Sequence, residues 1–265
     1  MRKFYLKSDI FLLLLVSNRT KNMQKLISFP LSVIYYLLFG ITLAIFHPIQ
    51  WICFNLFGYN AHKKSVDVLN FFLVANTYVL GTRYKIEGIE KLPSGVPMII
   101  AANHQSLYDI PAIIWFMRKA HPKFVSKIEL GKGIPSISYN LNHGGSVLID
   151  RKDPKQSLSA IKQLAEYIEA NNRSAVIFPE GTRSKTGRPK KFAENGLKIL
   201  SKYAPSAYMV PVTINNSWKM TKWGPFPLGL GNKLIFTIHD PLAVRDMPFS
   251  ELFEKTELAV TSRII

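Results

Sequence analysis

The chain has 265 residues, of which 48% are apolar and 19% charged; this fits one domain with an appendage and excludes a disordered chain. A single cysteine, Cys53, excludes a disulfide framework and any paired-thiol metal or redox centre. Lys and Arg number 34 against 17 Asp and Glu, and the formal charge of +17 asks for an anionic partner: nucleic acid, a phosphorylated substrate or an anionic membrane surface.

The first 22 residues read as a separate leader. Arg2, Lys3 and Lys7 precede a short apolar run at residues 10–16, with no small-residue cleavage site after it, so a secretory signal is a poor match. Met23 offers an alternative start that would leave residues 1–22 untranslated. Between Lys25 and Lys63 there is no Asp, Glu, Lys or Arg. Residues 26–46 alone suffice to cross a hydrocarbon layer of ~30 Å, and His47-Pro48 divides them from a second apolar stretch at 49–57. Arg19, Lys21 and Lys25 stand before the window, Lys63 and Lys64 after it, so the asymmetry that marks a true crossing is missing. A hairpin entering and leaving by one face is therefore expected over residues 26–57; a buried core helix is the alternative. Residues 65–80 have the pattern of an amphipathic helix. Together, residues 23–82 form an expected membrane hairpin plus amphipathic helix.

From Arg83 the texture changes to short β-rich runs alternating with helical ones. Strands are predicted at residues 84–87, 98–102, 123–126, 146–150, 175–178, 208–214 and 234–239, and helices at 109–119, 135–140, 155–171 and 193–202. Such alternation implies an α/β fold: a mixed, largely parallel central sheet flanked by helices, making one domain over residues 83–265. Residues 218–231, rich in Gly and Pro, read as a long surface loop.

In open α/β sheets, sites form beyond the carboxyl ends of strands, and three strands here end in polar signals. The strand at 98–102 runs into Asn103-His104-Gln105-Ser106-Leu107-Tyr108-Asp109. His104 and Asp109 meet only if His104 lies in the turn before the helix and Asp109 in its first turn, an arrangement that Ser106 as N-cap and Asp109 as N3 would build. Otherwise Asp109 merely caps and His104 is a polar loop residue. The strand at 146–149 ends in Asp150-Arg151. The strand at 175–178 ends in Pro179-Glu180-Gly181-Thr182-Arg183-Ser184, where Gly181 permits a tight turn and Arg183 offers a fork suited to phosphate. Seven basic residues lie within residues 183–202, opposed only by Glu194; most of these lysines read as a solvated or membrane-facing surface. No serine-hydrolase elbow, phosphate-binding P-loop, dinucleotide fingerprint or H-E-x-x-H helix is present.

The blocks NHQSLYD (residues 103–109), GSVLIDR (145–151), FPEGTRS (178–184) and VPVTI (210–214) resemble, in order and spacing, the four blocks of the glycerolipid acyltransferases. Within that family they most resemble the bacterial 1-acyl-sn-glycerol-3-phosphate acyltransferases. The resemblance implies that His104 is a general base with Asp109 as its partner. It also implies that Glu180, Gly181, Thr182 and Arg183 shape a glycerol-phosphate site, with Arg151 and Lys127 (in SKIEL) assisting. The implied donor is acyl-CoA or acyl-carrier protein, and the acceptor is lysophosphatidic acid. Neither cofactor nor metal is implied. The implied location is the bacterial inner membrane, with the catalytic domain on the cytoplasmic face. Two other readings stand beside this one: an acyltransferase for another lysolipid, such as a lyso-ornithine lipid, and a non-catalytic protein binding anionic membranes. Nucleic acid is not expected, since no motif for reading it is present.

Overall fold

The structure, a computed structural model, describes residues 22–265. The leader expected over residues 1–22 lies, but for Asn22, outside the described residues. Helix α1 (Arg2–Asn76) dominates the N-terminal part and is broken at Gly58, whose φ of 74° and ψ of −171° are not helical. The chain reverses there. Asn76 Nδ2 donates to Thr42 Oγ1 at 3.0 Å, and Leu43 and Phe46 of the first arm pack on Leu69 and Leu73 of the second. The hairpin therefore has its turn at Gly58 and not within residues 26–57, where His47-Pro48 had been the expected divide. Pro48 and Pro30 are both accommodated inside the helix: proline removes one N–H but keeps a helical φ, whereas the left-handed φ of the turn suits glycine. The second arm ends at Asn76, and a tight turn at Thr77–Leu80 completes the stretch expected to be helical to residue 80.

Ser28, Ser32, Tyr35, Leu43, Phe46 and Gln50 form a buried stripe along the first arm at helical spacing. This stripe lies against the rest of the molecule. The opposite faces leave Leu26, Val33, Leu37, Ile41, Ile45, Leu56 and Phe57 exposed. Among the described residues, the stretch Asn22–Leu80 is long and apolar enough to cross a membrane by length and composition, its most apolar 18-residue window having a mean hydropathy of 2.1.

The sheet has the strand order β1 (Arg83–Glu87), β7 (Lys233–Ile238), β6 (Tyr208–Asn215), β2 (Met98–Ala102), β5 (Ser174–Ile177), β3 (Pro122–Lys127), β4 (Val147–Ile149), with β8 (Leu242–Ala243) on β6. From β6 to β4 all neighbours are parallel; β7 runs antiparallel to β6, and β1 is parallel to β7. The sheet is thus mixed and largely parallel, as expected. Central β2 and β5 are buried at every residue, because both faces of the sheet are covered. Met98, Ile100 and Ala102 meet α1 and α2 (Asp109–Phe116) on one side. Ile99 and Ala101 meet α4 (Pro154–Asn171), α5 (Glu194–Tyr203) and α6 (Phe249–Thr261) on the other. Because Tyr35, Val66 and Val74 of α1 belong to the first of these cores, the hairpin and the sheet are packed as one unit.

The loop at residues 218–231 is not a free surface loop. Leu228 is fully buried and its N–H donates to Ser32 Oγ at 2.8 Å, while Gln24 Nε2 donates to the Leu230 carbonyl at 3.2 Å. The apolar side chains among its glycines and prolines are what α1 covers. Helix α6 and strand β8 were not predicted. The short α3 (Ile137–His143) sits beside the first arm of α1, where Ser136 Oγ donates to the Leu43 carbonyl at 2.7 Å.

Candidate active site

The carboxyl ends of β2, β5, β3 and β4 all lie on one edge of the sheet, since these strands are parallel neighbours. Beyond β2 the chain turns before α2, and this turn holds His104. Its Nδ1 is 2.8 Å from Asp109 Oδ2, the same oxygen that accepts the backbone N–H groups of Gln105 (2.8 Å) and Ser106 (2.9 Å). One carboxylate oxygen thus fixes the turn and the imidazole together. Asp109 is fully buried and His104 is 14% exposed. The expected capping box is half realised: Asp109 reaches back to the Ser106 N–H, but Ser106 Oγ accepts from Tyr108 N–H at 3.4 Å, and the helix starts at Asp109 itself. The Asp109 N–H goes instead to the Ser106 carbonyl at 3.3 Å, three residues before the helix, rather than to the Ser106 hydroxyl.

With Nδ1 donating to a carboxylate, the lone pair of the imidazole is on Nε2. No protein group among the described residues hydrogen-bonds Nε2. The ring is held from the side by Phe178, stacked at 4.0 Å with a 14° tilt. The arrangement leaves one basic nitrogen, oriented on both its edge and its face, at a sheet edge. It suits proton abstraction from a bound hydroxyl. Tyr108 is buried and in edge contact with Tyr35 of α1 at 5.9 Å, which ties the membrane-like hairpin to this turn.

The turn after β5 carries FPEGTRS. Gly181 adopts φ 69°, and its N–H donates to the Phe178 carbonyl at 3.0 Å. Glu180 is nearly buried; its two oxygens accept the backbone N–H groups of His104 (3.1 Å) and Lys190 (3.3 Å). Burial pushes its pKa upward, opposed by these two backbone hydrogen bonds. Ser184 N–H donates to the His104 carbonyl at 2.7 Å. The two turns are therefore stitched together on both sides of His104, and Glu180 acts on the backbone. Thr182 is exposed, with its hydroxyl oxygen accepting from Lys190 Nζ at 2.6 Å. Arg183 is exposed, and its guanidinium makes no hydrogen bond or ion pair within the described residues.

Lys127 ends β3 and lies opposite Ile149 in β4, so Lys127 and the following Asp150-Arg151 emerge on the same edge as His104. Both Lys127 and Arg151 are exposed. With strands ~4.8 Å apart, Arg183 comes from the strand next to that of His104, while Lys127 and Arg151 come from the second and third strands away. Among the described residues no group of three or more His, Cys, Asp or Glu could hold a metal ion.

Several contributors escaped sequence reasoning. Asn103 bonds the Ile214 backbone on both its N–H (2.6 Å) and its carbonyl (2.8 Å), locking the His104 turn to β6. Gln105 receives the Ser217 N–H at 3.1 Å and donates to the Gly187 carbonyl at 3.3 Å. Phe178 carried the only readable signal, an aromatic immediately before the tight turn.

A family model described as Acyltransferase matches residues 83–215. A chloroplastic 1-acyl-sn-glycerol-3-phosphate acyltransferase of Arabidopsis thaliana is 30% identical over 161 residues, covering 60% of this chain and 44% of that protein. A Helicobacter pylori protein with the same activity in its name is 36% identical over 138 residues, 51% of this chain and 55% of its own. The corresponding Pseudomonas aeruginosa protein is 23% identical over 198 residues, 74% and 76% of the two chains. The chain thus spans about half the length of the first two relatives. The crystal structure of the 1-acyl-sn-glycerophosphate acyltransferase of Thermotoga maritima shares the fold. Its TM-score is 0.70 at 23% identity, over 91% of this chain and 95% of that one.

Proposed function

This chain belongs to the Acyltransferase family, and on that premise we propose that it transfers a fatty acyl group to the sn-2 hydroxyl of 1-acyl-glycerol-3-phosphate, giving phosphatidic acid. The donor is an acyl thioester of coenzyme A or acyl-carrier protein. The observation that carries this reading is the His104–Asp109 pair, with Nε2 open at a sheet edge that also presents the exposed Arg183. The names of the relatives support the choice of acceptor.

In this reading Arg183 is the main ligand of the acceptor phosphate, through charge-assisted hydrogen bonds, because its strand adjoins that of His104. Arg151 and Lys127 reach in from farther along the edge. The phosphate grip sets the sn-2 hydroxyl beside His104. An alcohol is not deprotonated in advance at neutral pH, so Nε2 takes its proton as the oxygen attacks the thioester carbonyl, a contribution of ~10²–10⁴ in rate. The new C–O bond forms, the C–S bond breaks, and the thiolate leaves. Asp109 holds the tautomer and balances the imidazolium that forms. Glu180, Gly181 and Thr182 shape the turn that presents Arg183.

The domain is proposed to sit at the cytoplasmic face of a bacterial inner membrane, with the α1 hairpin embedded from one side. Three features support this: the open apolar face of the first arm, the reversal at Gly58, and the basic residues on both flanks of the apolar window.

The test is kcat/KM for lysophosphatidate and for monoacylglycerol in wild type, Arg183→Lys and Arg183→Ala. Losing a charge-assisted hydrogen bond costs ~1.5–3 kcal/mol, or about 10- to 150-fold in kcat/KM. That fall should be confined to lysophosphatidate, with Arg183→Lys intermediate because lysine keeps the charge and loses the fork. An equal fall for both acceptors would remove Arg183 from the phosphate site.

A further inference from the structure

A second concentration of cationic side chains lies away from the catalytic edge, and the chemistry above uses none of it. A small cavity of about 20 Å³ opens between the second arm of α1 and the start of β3, lined by Tyr59, His62, Lys63, His121, Lys123 and Ser146 among others. Lys123 is the second residue of β3 and Lys127 is its last. At ~3.3 Å per residue, about 13 Å of strand separates them, so this cavity lies toward the opposite end of the sheet from the site of His104.

The cavity is rich in positive charge and in donors without acceptors. Lys123 is only 6% exposed, yet its ammonium makes no hydrogen bond or ion pair within the described residues. It lies 5.1 Å from the centre of the Tyr59 ring, which Arg173 also contacts at 4.1 Å. Lys63 is the third cation; it pairs with Asp67 and donates to the Arg118 carbonyl. Asp67 is the carboxylate that faces Lys63 and Lys123, with Arg118 also near it, and Lys63 already occupies it. The Tyr59 hydroxyl and His121 Nδ1 are buried without hydrogen-bond partners. Burial, with Arg173 and Lys63 nearby, pushes the Lys123 pKa down to about 7, the sign of a positive charge that lacks a counterion. Buried polar groups left unpaired in this way are costly unless something completes them.

We infer that this cavity is a second anion site, taking one oxyanion of the phosphate class with Lys123 as its principal ligand. The cavity has room for about one water-sized group, so one phosphate oxygen enters while the rest of the group stays at the mouth. An inorganic phosphate and the phosphodiester of an anionic lipid present the same chemistry. Leu56 and Phe57 are highly exposed at the hairpin turn, three and two residues before Tyr59 of the lining. A lipid head group would find its acyl chains accommodated there.

The experiment uses the intact protein in a non-ionic detergent, titrated calorimetrically with inorganic phosphate and, separately, with short-chain phosphatidylglycerol. Saturable binding of at least one probe is expected, weakened roughly tenfold or more in Lys123→Met and kept in Lys123→Arg and in Arg183→Ala. Binding of phosphate marks a free-ion site, and binding of the lipid alone marks a head-group site; either supports the inference. In the wild-type protein the bound probe should also slow acetylation of Lys123 relative to the exposed Lys198, read by mass spectrometry. Absence of saturable binding, equal binding by wild type and Lys123→Met, or unchanged acetylation of Lys123 would overturn it.

Discussion

Replacing Asp109 with Asn isolates what its charge does from what its shape does. Oδ2 accepts three N–H groups, from His104 Nδ1, Gln105 and Ser106, whereas Oδ1 is buried with no partner. An Asn side chain can therefore keep its oxygen where Oδ2 is and put its amide nitrogen in the empty position, so the turn survives. The negative charge is lost. When His104 takes a proton, the imidazolium would face a neutral amide at 2.8 Å in place of a carboxylate. At an effective dielectric of about 20 and charge centres ~4 Å apart, the missing attraction is ~4 kcal/mol, or about three decades in kcat. The two backbone hydrogen bonds lose their charge assistance, ~1 kcal/mol each, lowering Tm by about 4–8 °C for a chain of this size. The assay is thiol release from acyl-CoA at saturating lysophosphatidate, with Tm measured on the same preparations. A kcat within about tenfold of wild type, alongside the lowered Tm, would refute the reasoning and reduce Asp109 to a helix cap.

Glu180→Gln tests whether that carboxylate serves the substrate or the backbone. Because it accepts the N–H groups of His104 and Lys190, the amide must turn one N–H donor toward another, costing ~1–3 kcal/mol of stability. Turnover should fall while KM for lysophosphatidate stays near wild type; a rise in KM alone would place Glu180 on the acceptor. The Lys123 ammonium, held at about 7 against an ordinary 10.5 by burial and then by Arg173 and Lys63, gives a pH signature. Between those values the unfolded chain binds the proton more tightly, so stability rises as pH goes from about 7 to 10.5, and below about 7 the cost is fully present. Lys123→Met should flatten the rise in Tm over that window, and an unchanged slope would contradict the assignment.

The sequence by itself determined most strands and helices from Arg83 onward, though not α6 or β8, and the mixed, largely parallel sheet, while the His104–Asp109 partnership came from the resemblance. The elements are local facts. Strand periodicity and the Gly181 turn act over a few residues, and the ordered blocks bring the rest by resemblance. What the sequence leaves open depends on which segments meet. Apolar content marks residues 26–57 as unusual, with His47-Pro48 as the expected divide. Only packing decided for Gly58, by setting Leu43 and Phe46 on Leu69 and Leu73. The loop at residues 218–231 has loop composition, yet burial of Leu228 against Ser32 makes it part of the core, a contact across 196 residues that no window of sequence contains. The resemblance implies that Glu180 shapes the glycerol-phosphate site. The fold turned it inward, since two backbone N–H groups from separate turns converge there and need an acceptor. The cluster around Lys123 likewise joins α1 to β3, and its charges become a site only when the sheet and hairpin close on each other and exclude water.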